Sequence, residues 1–144
     1  MLAARLIAAA EAIPTALLGL LFRIAIFSVF WRAAWPKWQN WDLTVALFRD
    51  EYLAALPFLP AAPMAYLAGV LEIVCSALVL IGLATRLAAL PLLAMTIFIQ
   101  LFVYWNSWPQ HILWAVMLIH LIARGPGAWS FDHLLARRNL PHAA

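Results

Sequence analysis

A single cysteine, Cys75, is the only thiol in the chain. That excludes an internal disulfide, a dithiol redox pair and any cysteine metal cluster built from this chain alone. Charge is equally scarce: Asp, Glu, Lys and Arg make up 10% of the residues, against about 25% in a soluble domain. Water is therefore not the solvent for most of this surface. The formal charge of +3 rests on a few residues at the ends of apolar runs, and no basic face of any length is present to bind nucleic acid. The sequence also lacks a His-Glu-x-x-His, a Cys/His cluster and a glycine-rich phosphate loop, so no metal site is expected.

What remains is apolar. Hydrophobic residues are 67% of the 144, and a chain of that length allows one domain. Four apolar spans stand out, at about 14–35, 62–83, 87–105 and 108–123. In hydrocarbon every backbone N–H and C=O must be paired within the protein, so spans of this length are helices. The fourth would be short, about 24 Å at 1.5 Å per residue. Tight connections at 82–86 and 104–109 force antiparallel neighbours. Pro109 suits a first helical turn, and Gly125-Pro126-Gly127 stops the last span. The expected fold is all-α: an integral membrane antiparallel four-helix bundle.

The first connection is longer. Trp31, Trp35, Trp38 and Trp41 cluster at its start, as in an aromatic belt at headgroup level. Asp42 is placed to cap a helix from Leu43 to about Leu56 that mixes apolar and charged residues and is expected to lie in the interface, a re-entrant segment being the alternative. A short amphipathic helix is expected in the tail, capped by Ser130 and starting at Phe131, with Asp132 in its first turn. Ala65 and Gly69 are spaced for close helix approach. The segment before Pro14 has no small-residue cleavage site and reads as retained.

Counting Lys and Arg sets the orientation. Arg5, Arg86, Arg124, Arg137 and Arg138 fall on one side, Lys37 and Arg49 on the other, with Arg32 at the border. Both termini are thus expected in the cytoplasm.

Two charges, Arg23 and Glu72, lie deep in the first and second spans. Each costs about 2.5–3.5 kcal/mol at a bilayer centre, and such residues face the protein interior and seek a partner. Antiparallel packing is expected to bring them to one depth, where they pair. The pair either locks two helices together or is catalytic, with Glu72 a proton relay or the group that orients a polar ligand head. A second constellation joins Gln100 and Tyr104, four residues apart, to His111 across the turn at Asn106-Ser107. A neutral His, a phenol and an amide can hold a quinone carbonyl or pass protons, or they can be an interfacial belt with one satisfied His. His120, nine positions from His111, points to the opposite face. Cys75, one turn from Glu72, reads as packing. Arg86 and Asp132 can pair at the surface.

Arg23, Glu72, the run Leu80-Ile81-Gly82-Leu83-Ala84-Thr85-Arg86-Leu87-Ala88-Ala89 and the close Arg124-Gly125-Pro126-Gly127-Ala128-Trp129-Ser130-Phe131-Asp132-His133 resemble the DoxX family over nearly the whole chain. Phe131 stands where that family usually has Leu. The resemblance implies a small four-helix inner-membrane protein. Named relatives are membrane subunits of quinone-linked oxidoreductases, thiosulfate:quinone oxidoreductase among them, or anchors in oxidative-stress complexes. Phe48-Arg49-Asp50-Glu51-Tyr52 and Ile99-Gln100-Leu101-Phe102-Val103-Tyr104 resemble a subgroup found beside genes for modified, metal-binding peptides. Two functions are therefore open. One is a membrane subunit or accessory of a quinone-linked redox system, acting with a partner protein. The other is a non-catalytic anchor, or an export or maturation accessory, for a metal-binding modified peptide. A scaffold whose polar pair only sets helix register is the third option.

Overall fold

The computed structural model describes residue 12 and residues 14–138. Arg5 and the retained N-terminal segment lie outside the described residues. Helices follow one another with short connections: α1 (Thr15–Gln39), α2 (Trp41–Leu47), a π-helical turn (Phe48–Tyr52), α3 (Ala61–Ile81), α4 (Thr85–Phe102), α5 (Trp108–Arg124) and α6 (Phe131–Arg138). There is no strand among the described residues. Three of these helices, α1, α3 and α4, are long and apolar enough to cross a membrane. The 17 residues of α5 cover about 25 Å.

The helices pack in the order the tight turns dictate, with α1 on α3, α3 on α4 and α4 on α5, and α5 returning to α1. Ile26 and Phe30 of α1 meet Val79 of α3, Leu92 of α4, and Leu118 and Leu121 of α5 in a common core. The outward faces are apolar as well: Leu21 and Ile24 of α1, Ile97 of α4, and Leu113 and Val116 of α5 are all exposed. Helices that are apolar on both faces need a solvent as apolar as their own core, so this surface belongs in a lipid bilayer. Close approach of α3 to α1 depends on small residues. Ala65 is fully buried, and a Cβ on Gly69 would come within 2.9 Å of the Trp38 ring.

Three expectations change. The first helix does not stop at Trp35 but continues through Pro36 to Gln39. Proline removes only the N–H that would bond back to Arg32, and near a helix end that loss is small. The interfacial helix then starts early. Asn40, not Asp42, is its cap, with the side-chain oxygen accepting from the Leu43 amide at 3.2 Å. It also ends early, in a π turn closed by Leu53 N–H donating to Phe48 O at 2.9 Å. The third span ends at Phe102, before Tyr104.

The tail is tied to the α3–α4 turn by Asp132. Gly82 closes α3 in the left-handed region at φ 76°, and Ala84 follows at φ 48°. The Asp132 carboxylate then accepts from the amides of Ala84 (2.7 Å) and Thr85 (3.0 Å), and its own amide donates to Gly82 O at 2.8 Å. This caps α4 with a side chain 48 residues away from Ala84. The expected ion pair of Arg86 with Asp132 does not form, because the backbone amides take both oxygens; the Arg86 guanidinium lies over Gly125 instead. Ser130 caps α6 as expected, its Oγ accepting from the His133 amide at 3.3 Å. Asp132→Ala is expected to lower stability by about 1–2 kcal/mol through loss of the cap. A denaturant titration of the detergent-solubilised protein measures it, and an unchanged midpoint excludes the capping role.

Candidate functional site

Arg23 and Glu72 are both buried, with 1% and 3% of their surface exposed, but they do not pair. Arg23 sits toward the end where the tail packs. Its Nη1 donates to Leu80 O at 3.0 Å and its Nη2 donates to Trp129 O. Arg23 is thus level with Leu80, and Glu72 lies eight residues earlier on α3, about 12 Å along the axis. A place near the middle of each span does not give equal depth when α1 is the longer helix and overshoots α3. Arg23 is a tie between α1, α3 and the tail, remote from the chemistry expected of it.

Glu72 finds its counter-ion in Lys37, which sequence reasoning assigned to the outer loop. Lys37 stands in the last turn of α1, and its long side chain folds back along the helix. The ammonium donates to Ala33 O at 2.8 Å and to both carboxylate oxygens of Glu72 at 2.8 and 3.0 Å. All three of its hydrogens are thereby used. The pair is secluded, with side-chain exposures of 15% for Lys37 and 4% for Glu72. The signal for it was present: a buried acid needs a cation, and a lysine one turn beyond an apolar span can bury its stem and carry its charge back toward the membrane.

The pair lines a cavity of about 690 Å³ between α1, α3, α4, α5 and the π turn. Most of the wall is apolar, from Phe48, Leu71, Met95, Phe98 and Trp114 among others. Tyr104 and His111 reach the same cavity. The structure therefore brings Glu72 together with the second constellation and leaves Arg23 out.

His111 is buried and oriented by Gln100. The His111 Nδ1 lies 2.7 Å from Gln100 Oε1, and Gln100 Nε2 donates to Trp105 O at 2.7 Å. A carbonyl can only accept, so the amide nitrogen of Gln100 faces Trp105 and its oxygen faces His111. That oxygen needs a hydrogen on Nδ1, which leaves Nε2 as the basic, accepting nitrogen of a neutral ring. Gln100 is thus a positioning residue, not a wall of the cavity. It does not share a helical face with Tyr104, because α4 ends at Phe102; Tyr104 lies in the turn, with its ring 6.1 Å from that of Tyr52. The Glu51 carboxylate near it, burial and Tyr52 hold the Tyr104 phenol well above its ordinary pKa, so it stays protonated. His120 packs edge-on against Phe22 at 4.9 Å, and Cys75 is buried in the core. Among the described residues no group of three His, Cys, Asp or Glu is placed to hold a metal ion.

Chemically, the cavity offers an apolar slot with a phenolic donor, a neutral imidazole base and a charge-compensated carboxylate on its walls. Such a set can hold a flat, largely apolar molecule with polar edge atoms, and it can take up or release protons.

The family model for DoxX matches residues 18–105, which carry α1 to α4 and with them Lys37, Glu72, Gln100 and Tyr104. The chain is 36% identical over 99 residues to an uncharacterized membrane protein of Mycobacterium tuberculosis. That similarity covers 56% of this chain and 61% of the relative, so the chain spans less than two thirds of the relative's length. No solved structure matches.

Proposed function

On the premise that the chain belongs to the DoxX family of membrane proteins, we propose that it is a membrane subunit or accessory of a quinone-linked redox system, acting with a partner protein. In this reading α5 is a fourth span, the bundle is antiparallel, and both ends face the cytoplasm of a bacterium across its inner membrane. The positions of Arg86, Arg124, Arg137 and Arg138 at one end support that orientation. The interfacial segment of α2 and the π turn then lies at the outer face.

One observation carries the reading: a single apolar cavity has Lys37, Glu72, Tyr104 and His111 on its walls. The donor set suits a quinone. The Tyr104 hydroxyl, turned from Glu51, can donate to a carbonyl oxygen, and His111 Nε2 can accept from a hydroxyl in the reduced form. A quinone supplies two-electron, two-proton redox chemistry when bound. The chain's own residues orient the ring, exclude water with aromatic and aliphatic walls, and hold a proton at His111 or Glu72. Lys37 keeps the Glu72 carboxylate compensated while no proton is there. Electrons must reach the site from a partner, since the sequence has no motif for a redox centre of its own.

The test is quinone content by organic extraction of the purified protein, with a parallel titration by a short-chain quinone. Wild type is expected to retain quinone. Glu72→Gln and His111→Ala are each expected to weaken binding about tenfold or more, the usual consequence of removing one partner in a buried site. Quinone-free wild type with identical titrations for both variants rejects the reading. That outcome favours the non-catalytic accessory for a metal-binding modified peptide, in which the cavity only packs the bundle.

A further inference from the structure

A second cavity, of about 560 Å³, opens at the opposite end of the molecule, where the α3–α4 turn meets the 125–130 segment and α6. Arg86 from the start of α4, Arg124 from the end of α5 and His133 from α6 all line it. The residues come from three separate stretches of chain, so no single span or loop in the sequence announces the cluster. Asp132 is the one acid on its wall, and the amides of Ala84 and Thr85 engage both of its oxygens. Among the described residues no carboxylate lies within ion-pair distance of Arg86 or Arg124. The cavity therefore carries a net positive charge that the fold leaves uncompensated, and each of its three basic side chains is solvent-accessible.

The rim differs in character. Leu87 lines the same cavity and is 71% exposed. On α6, Phe131, Leu134 and Leu135 share one exposed face at helical spacing, with Arg137 and Arg138 beyond them. A positive, polar recess bordered by exposed aliphatic and aromatic side chains matches one kind of molecule: an amphiphile with an anionic head and apolar tails. We propose that this recess binds the phosphate-bearing headgroup of an anionic phospholipid, with Arg86 and Arg124 on the phosphate oxygens, His133 beside them, and Leu87 and the apolar face of α6 along the upper acyl chains. Arginine suits the task because its planar fork meets phosphate oxygens two at a time. A basic pocket between membrane helices on one face of the bilayer is where lipid headgroups are held. The proposal is independent of any quinone site.

Native mass spectrometry of the full chain, released from detergent after incubation with equal amounts of phosphatidylglycerol and phosphatidylcholine, provides the test. Wild type is expected to retain phosphatidylglycerol preferentially. Each arginine near an anionic membrane surface contributes about a fivefold preference, so Arg86→Gln with Arg124→Gln should lower retention about 25-fold. Arg49→Gln should change nothing, because Arg49 lies outside the recess and already pairs with Asp50 at 2.8 Å. The charge-preserving pair Arg86→Lys with Arg124→Lys should keep the preference, which separates lost binding from lost folding. Equal retention of the two lipids by wild type, or undiminished retention in the Gln pair, overturns the proposal. Displacement of the lipid by inorganic phosphate alone assigns the recess to a soluble anion and overturns it too.

Discussion

Lys37→Met alone will destabilise the protein by about 3–5 kcal/mol, whereas Lys37→Met combined with Glu72→Leu will cost little or nothing. The asymmetry follows from where the pair sits. Glu72 has 4% of its side chain exposed, and its two oxygens receive hydrogen bonds from one ammonium group. Removing the lysine leaves a carboxylate that must either stay ionised in an apolar surround or take up a proton. Removing both partners abolishes the desolvation cost along with the attraction. Replacement of a buried pair by apolar side chains of similar volume is commonly neutral or stabilising. Unfolding titrations of the four forms in detergent give the coupling energy directly. Single losses that simply add in the double variant would show that Lys37 and Glu72 act independently. The same four proteins separate stability from function: the apolar double variant should fold well and yet lose retained quinone, because a stable bundle does not need the charges and the proposed site does.

Gly82→Ala should be nearly as costly, about 2–5 kcal/mol, for two reasons that add. At φ 76° the residue occupies the left-handed region, where a Cβ carries a penalty of about 1–2 kcal/mol. The new methyl would also lie 2.5 Å from the Ser130 Cβ and 2.6 Å from Arg23 Nη1, and overpacking of that kind costs a further 1–3 kcal/mol. Neither neighbour can retreat cheaply. Ser130 is fixed by its hydrogen bonds to Gly127 O and the His133 amide, and Arg23 is held by Leu80 O and Trp129 O. The measurement is the unfolding midpoint compared with that of Gly127→Ala. There the Cβ would meet nothing nearer than 3.4 Å despite φ 85°, so only the backbone penalty should appear. Equal losses at the two positions would show that crowding around Arg23 contributes nothing.

Much of the fold was legible because hydropathy marks hydrocarbon-spanning helices strongly. α3 and α5 start and stop within two residues of the bounds expected for the second and fourth apolar runs, although only α1, α3 and α4 are long and apolar enough to cross a membrane. The short turn predicts that His111 returns beside Tyr104; the two line one cavity, and the direct contact of His111, at 2.7 Å, is with Gln100. Contacts between α1 and α3 were not legible. Their register depends on where α1 ends, and the apolar run placed that end near Trp35, four residues too soon. With α1 carried on to Gln39, Lys37 becomes a helix residue within reach of Glu72, and Arg23 drops to the level of Leu80. The recess formed by Arg86, Arg124 and His133 was legible only in part: the sequence put Arg86 and Arg124 on one side and Arg86 near Asp132, but its walls meet only after the tail has folded back on the α3–α4 turn.

The two acceptors of Arg23 lie 57 and 106 residues further along the chain. During synthesis the guanidinium therefore emerges long before Leu80, and longer still before Trp129. The first helix must enter the bilayer with that cation unsatisfied, until the next hairpin brings Leu80 beside it. Docking of the last segment then completes its coordination. A ribosome stalled before residue 129 should leave α1 loosely seated and accessible to a water-soluble labelling reagent, and release of the finished chain should close it.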